Sequence, residues 1–172
     1  MEVKNLVNRA RKGDDDAFYE LIQIHKSRLL KIALGYLHNE EEALEALQEV
    51  TFRAYLSLNK LKHAEYFSTW VIRIMLNYCH DQIRKRKRIA DPKYIDNLMV
   101  TKNDNQTLEI EEALLKIDAR FREVIILKYY NDLKIKDIAE ILEKSESTIK
   151  TWLYKGLKAL QVQLNKGGGL NV

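Results

Sequence analysis

The chain reads as all-α, two small helical domains joined by a flexible linker, and three observations predict this. Only one of its 172 residues is proline and six are glycine, three of them together at 167–169, so helix breakers are scarce. Leu, Ile, Ala, Glu and Lys dominate, and these are good or tolerated helix formers. Apolar residues recur at three- and four-residue spacing along most of the length, and the period lapses only across residues 90–107. A hydrophobic share of 46% beside 31% charged residues gives a globular chain with enough apolar mass for a core.

The elements follow in order. A brief leading helix covers residues 3–12. Asp14, Asp15 and Asp16 precede an apolar-periodic run over 17–37 and can cap it. A second run over 40–61 opens with Glu40, Glu41 and Glu42, acids at the positive end of a helix dipole. A short loop, 62–66, leads to a helix over 67–88, and residues 1–89 form the first domain. Residues 90–107 carry Pro92 and the polar run 102–106, which marks a linker. Ile95, Leu98, Met99 and Val100 interrupt that polarity, so part of the linker is able to dock on a surface or a partner. The period returns in four runs, 108–116, 119–129, 135–143 and 146–164, making a four-helix unit over 108–166 with a flexible tail at 167–172. The last two runs are separated by Lys144 and Ser145, with Ser145 as N-cap, which is a helix-turn-helix pattern.

Residues 67–88, FSTWVIRIMLNYCHDQIRKRKR, are the most informative stretch. At about 100° per residue, Phe67, Val71, Ile74, Met75 and Tyr78 fall on one face, with Trp70 at its flank. Thr69, Arg73, Asn77, His80 and Arg84 line the other face, and five basic residues, 84–88, end the helix. Cations and amides of this kind are the groups that phosphates and base edges accept. The same basic run also suits a solvated helix end complementing its dipole. In the last helix Ile149, Leu153, Leu157, Leu160 and Leu164 make an apolar stripe, while Ser147, Thr151, Tyr154, Lys155 and Lys158 project opposite and Lys150 sits at the edge. The formal charge is +4, and residues 1–88 hold 16 Lys and Arg against 12 Asp and Glu, so the basic excess is local. Two such helices on one tether suit a bipartite DNA site, because binding of one raises the effective concentration of the other.

Other function classes are disfavoured. No phosphate-cradling glycine loop occurs, and His25, His38, His63 and His80 show no metal-ligand spacing with Cys79 or with acids, so neither an enzyme nor a cofactor or metal is expected. The single cysteine excludes an internal disulfide and reads as a packed thiol. The charged N-terminal stretch is no signal peptide and no run is long enough to span a membrane, so a cytoplasmic protein is expected rather than a membrane protein.

The residues that carry a family likeness lie in both domains. Ala43, Glu45, Gln48 and Glu49, then Phe67, Trp70, Arg73, Ile74, Asn77, Asp81 and Arg84, then residues 121–160 together resemble the extracytoplasmic-function (ECF, group IV) sigma factors of bacterial RNA polymerase. The likeness spans about residues 12–164. It implies a protein that binds core RNA polymerase and directs promoter-specific initiation, with no small-molecule substrate. The implied polymerase contacts are Glu45, Gln48, Glu49 and Arg53. Minus-ten recognition and melting would fall to Tyr66, Phe67, Thr69, Arg73, Asn77, Arg84, Arg86 and Arg88, with an unstacked base held by the 62–67 loop and Asn77, and Trp70 and Ile74 in the core behind it. Minus-thirty-five recognition would fall to Ser147, Lys150, Thr151, Tyr154, Lys155 and Lys158. The likeness further implies control of a stress regulon by an anti-sigma protein, often membrane-anchored. Lys134, where the family usually has a capping serine, and Glu143-Lys144, where it has a glycine turn, depart from the pattern. An autonomous operator-binding regulator is the alternative. It leaves residues 43–53 and 67–88 without a role. A protein–protein adaptor is a third reading.

Overall fold

A computed structural model describes residues 2–89 and 105–167, and every regular element among them is helical. The chain divides into two units, Met1–Ile95 and Asp96–Val172.

The first unit holds α1 (Glu2–Ala10), α2 (Asp15–Leu37), α3 (Glu40–Ser57) and α4 (Phe67–Ile89). Gly13, at φ +90°, makes the turn after α1, a backbone state that costs glycine nothing. Asp14 then stays extended and accepts the Ala17 N–H at 3.0 Å, while the Arg9 guanidinium lies 2.7 Å from its carboxylate. That bond and that cation together hold the Asp14 carboxyl below the usual carboxylate range. The corner between α2 and α3 takes two residues. His38, left-handed at φ 53°, sends its N–H back to the Leu34 carbonyl, and Asn39 accepts the Glu42 N–H at 2.9 Å. The Asn39 cap was not anticipated from the acids that follow it. α3 stops at Ser57, earlier than the run to 61 predicts, and the chain tightens into a 3₁₀ turn, Leu58–Lys60. A second such turn, Ala64–Tyr66, delivers the chain to α4.

α2, α3 and α4 each pack on the other two. α3 offers Ala43, Ala46, Val50 and Ala54 to this contact, small side chains that let the backbones approach, and α4 inserts Phe67, Val71, Ile72, Met75 and Leu76. Each large apolar side chain removed from water here is worth about 1.5–3 kcal/mol. The buried face of α4 is broader than the periodicity predicts. Ile74 and Tyr78 are half-buried, while Ile72, Leu76 and Cys79 lie in the core.

The second unit holds α5 (Asn105–Leu115), α6 (Ala119–Ile125), a π-helical turn (Ile126–Tyr130), α7 (Ile135–Ile141) and α8 (Glu146–Gly167). Two expected boundaries move. The helix expected from 108 begins at 105, which takes three residues from the predicted linker, and Gly167 belongs to α8 rather than to a tail. The remainder of both predicted segments, 90–104 and 168–172, lies outside the described residues. Leu114, Ile117 and Ile125 form a core cluster with Phe121, Leu153, Ala159 and Leu160 packed against it. Gly156 is buried at this crossing, and a Cβ there would stand 2.9 Å from Phe121 Cβ. Gly156 thus lies on the buried face of α8, and Leu157, expected in the buried stripe, is 38% exposed.

The helix-turn-helix closes without glycine. α7 starts at Lys134 with no side-chain cap. It ends with Glu143 left-handed at φ 55°, the Lys144 N–H on the Ala139 carbonyl at 2.9 Å and the Glu143 N–H on the Glu140 carbonyl at 3.3 Å. This is the six-to-one, five-to-two pairing that usually employs a glycine. Ser145 Oγ then accepts the Thr148 N–H at 3.1 Å and starts α8, as the sequence predicts.

Candidate nucleic-acid interface

On α4 the expected contact residues separate into two groups. Asn77, Arg84 and Arg88 are exposed, Arg73 is half-buried, and Tyr66, on the turn before the helix, is 43% exposed. Phe67, Thr69 and Arg86 do not fit the expected role. Phe67 is fully buried, with its ring edge-on to His25 at 5.2 Å, so it offers no face to a base. Thr69 is also buried, and its hydroxyl donates to the Tyr66 carbonyl at 3.1 Å. Arg86 turns back from the basic run. It pairs with Glu42 and donates to the Leu37 carbonyl at 3.1 Å, which ties the end of α4 to the α2–α3 corner. Burial there holds the Arg86 pKa below that of a free guanidinium. Arg84 pairs with Asp81 one turn earlier and stays 69% exposed.

Two residues outside the expected DNA-contact set join this surface. Trp70, assigned to the core from its position, is half-buried on the same stripe as Arg73 and Asn77. His63 is exposed in the loop and meets Tyr66 edge-on at 5.9 Å. The spacing 70, 73, 77 signals Trp70, since residues three and four apart share a helix face. His63 lies within the 62–67 loop that the likeness implies for the base pocket, although it is not singled out there.

Behind this surface His25 is buried. Its Nδ1–H donates to the Leu21 carbonyl at 2.7 Å, which leaves Nε2 to accept the Ser68 hydroxyl at 2.6 Å. These are the roles of the neutral ring, which burial favours: desolvation is the main reason its pKa lies below the ordinary histidine value. Cys79, also buried, has its thiol pushed up to about 12 by desolvation and is inert at neutral pH.

α8 keeps all six of its expected contact residues exposed: Ser147, Lys150, Thr151, Tyr154, Lys155 and Lys158. The Thr151 hydroxyl donates to the Ser147 carbonyl at 3.0 Å, and Lys158 Nζ lies 5.9 Å from the Tyr154 ring centre. Hydroxyls early and ammonium groups later, on one side of a helix-turn-helix second helix, match what base edges and phosphates require.

α3 presents a third surface. Glu45, Gln48 and Arg53 are exposed and Glu49 is half-buried, with Arg53 Nε 2.7 Å from Glu49 and its guanidinium 5.2 Å from the Tyr78 ring centre. Beside them stand Leu44, Phe52, Tyr55 and Leu56, between 45% and 65% exposed. The sequence reading does not single out these four as a surface, although three of them, Leu44, Phe52 and Leu56, share with Gln48 the i,i+4 row 44, 48, 52, 56, distinct from the alanine stripe. Exposed apolar side chains grouped among polar ones are the kind of surface that protein partners cover. Among the described residues no cluster of side chains could hold a metal, and no helix is long and apolar enough to cross a membrane.

Comparison with known proteins agrees with this layout. The Sigma-70 region 2 family matches residues 21–89, and the Sigma-70 region 4 family matches residues 107–160. The ECF RNA polymerase sigma factor SigW of Bacillus subtilis is 31% identical, over 95% of this chain and 97% of its own. Among solved structures, CnrH in complex with the cytosolic domain of CnrY superposes with a TM-score of 0.76 at 21% identity, over 96% of this chain and 99% of that one. The sigma factor RpoE of Bartonella quintana, in complex with the anti-sigma factor NepR, superposes at 0.62 and 21% identity, covering 83% and 95%. Both likenesses are of fold. With the SigW identity extending over both units, the chain belongs to the ECF RNA polymerase sigma factors.

Proposed function

We propose that this sigma factor works in the cytoplasm with residues 1–89 as its polymerase-binding and minus-ten-melting part and residues 108–166 as its minus-thirty-five reader. Core polymerase docks on α3, where Leu44, Phe52 and Leu56 supply apolar area and Glu45, Gln48 and Glu49 supply polarity. Arg53 braces that face against Tyr78 of α4. Arg73, Asn77, Arg84 and Arg88 engage the minus-ten strand, and Tyr66 offers a ring for an unstacked base, which offsets the cost of unstacking. Ser147, Lys150, Thr151, Tyr154, Lys155 and Lys158 enter the major groove of the upstream element.

The observation that carries this reading is the uniform exposure of those six α8 side chains on a capped second helix, in a chain whose other unit has its own exposed polar stripe. An anti-sigma partner, of a kind often anchored in a membrane, controls a stress regulon by covering the polymerase-docking surfaces of both units. RpoE in complex with the anti-sigma factor NepR, and CnrH in complex with the cytosolic domain of CnrY, are precedents that support capture by a partner protein.

Run-off transcription with purified core polymerase and a pool of genomic fragments tests the reading. Defined start sites that depend on the added chain support it. Tight, sequence-specific duplex binding by the chain without polymerase, and no start-site selection with it, would establish the operator-binding alternative.

A further inference from the structure

The loop between α3 and α4 carries Tyr66 and His63, yet it is tied down only lightly by its own backbone. Its two 3₁₀ turns close through Leu61 N–H to the Leu58 carbonyl at 3.2 Å and Tyr66 N–H to the His63 carbonyl at 3.1 Å. Between these turns the chain passes through Leu61, extended at φ −68° and ψ 112°, and His63, extended at φ −121° and ψ 119°. Arg11 reaches this span from 50 residues earlier, and its guanidinium Nη2–H donates to the Leu61 carbonyl.

Arg11 is itself firmly placed. Its N–H bonds to the Val7 carbonyl at 3.0 Å, the Gly13 N–H bonds to the Ala10 carbonyl at 3.0 Å, and the Arg9–Asp14 pair closes the turn around it. α1 packs on the second 3₁₀ turn of the loop as well as on α2. The short leading helix is thus more than a lid on the core. It sets a cation under the carbonyl from which the base-facing loop departs.

We infer that Arg11 is a positioning residue for promoter melting: its bond to Leu61 fixes the loop that presents Tyr66 and His63 to the unstacked minus-ten base. This rests on the minus-ten reading of α4 given above. Arg11 touches no DNA in this account. It acts by limiting where the loop can stand, so its loss blurs discrimination among bases more than it weakens attachment to polymerase. Preorganisation of this kind affects the melting step, because the pocket must already be formed when the base leaves the stack.

The experiment uses the full chain with core polymerase and a promoter it selects, in four versions that differ at the unstacked position. Arg11→Met keeps the packing of the stem and removes every donor, and Arg11→Lys keeps a donor and the charge. Arg11→Met should compress the ratio of opening rates between the preferred and disfavoured bases by about tenfold, the order expected for one charge-assisted hydrogen bond. Its affinity for polymerase should stay within about twofold of the unaltered chain, since α3 is untouched. Arg11→Lys should recover most of the ratio. In the free chain, amide exchange over residues 61–66 should quicken in Arg11→Met while that of α2 stays unchanged.

A discrimination ratio unchanged in Arg11→Met would overturn the inference. So would an equal slowing on all four templates, or exchange that quickens throughout the first unit, since either marks general destabilisation. Failure of the unaltered chain to start transcription would overturn the functional reading instead, and the exchange comparison would still decide whether Arg11 holds the loop.

Discussion

α4 and α8 are nearly equal in length, at 23 and 22 residues, and both are rich in cations, yet they use their polar residues differently. α4 lies against both α2 and α3 and buries Phe67, Thr69, Val71, Ile72, Met75, Leu76 and Cys79. α8 buries only Ile149 and Gly156, half-buries Leu153, Leu160 and Leu164, and leaves Leu157 exposed. A helix wedged between two long neighbours gives part of its polar sequence to the fold. A helix across a small unit of short helices keeps its outer face for a ligand. Arg86 and Lys155 show the contrast in single residues: one guanidinium is turned inward onto Glu42 and Leu37, and one ammonium is left outside.

The largest expected effect separates Phe67 from its neighbour Tyr66. Phe67→Ala should cost the first unit about 3–5 kcal/mol in chemical denaturation, the usual range for emptying a buried aromatic site. Tyr66→Ala should leave that transition nearly in place and slow promoter opening, because a stacked base contributes about 1–3 kcal/mol. If the two variants destabilise equally, the division of the site into core and contact residues is wrong.

Arg86 and Lys155 sharpen the same comparison. Arg86→Ala should cost about 1–2 kcal/mol of stability, a value discounted because Glu42 is partly exposed. It should change the salt dependence of DNA binding little. Lys155→Ala should leave stability alone and reduce the slope of log affinity against log salt by roughly 0.9, the release of about one counterion. Titrating both variants at several salt concentrations tests this, and a full slope change in Arg86→Ala would return that residue to the DNA surface.

Much of the layout was legible because helix periodicity, caps and breakers are local properties. Asp14 and Ser145 cap where their position before apolar runs predicts, and Ser147, Thr151, Tyr154, Lys155 and Lys158 face outward as the wheel places them, with Lys150, at the edge of the wheel, exposed as well. What escaped depends on neighbours that a single helix does not reveal. Phe67 and Thr69 are covered by the rest of their unit, and Arg86 is claimed by a carbonyl 49 residues away. That α8 buries Gly156 against Phe121 while Leu157 stays exposed is a tertiary fact. The apolar row on α3 was readable, but two apolar stripes on one helix look like one broad stripe until the packing partner is known.

Acid should weaken the first unit through His25. Its folded pKa lies below the ordinary value near 6.5, so below about pH 6.5 the unfolded chain binds the proton more readily. Stability is therefore complete above that pH and falls as pH drops from about 6.5 towards the folded pKa, where the loss levels off. His38, lowered by burial and by Arg86, adds a loss of the same sign. Thermal melts followed through Trp70, with Trp152→Phe to silence the second unit, should show a shallower pH slope when His25 is replaced by Gln. An unchanged slope would assign the acid sensitivity elsewhere.

The smallest effect expected lies in the turn of the second unit, and it runs towards greater stability. Glu143 holds φ 55°, where a side chain bearing a Cβ is strained, and the hydrogen-bond pattern around it is one that glycine fits. Glu143→Gly should stabilise the second unit by about 0.5–1 kcal/mol, the relief being partly offset by the greater freedom of glycine in the unfolded chain. Glu143→Ala separates the possible causes, because it removes the carboxylate and keeps the strain. Denaturation of the two variants should give a gain for glycine and none for alanine. Equal gains would place the effect in the charge of Glu143 rather than in its backbone. Affinity for the upstream element should be the same in both, since the turn already delivers Ser145 to its cap and leaves the α8 face as it stands.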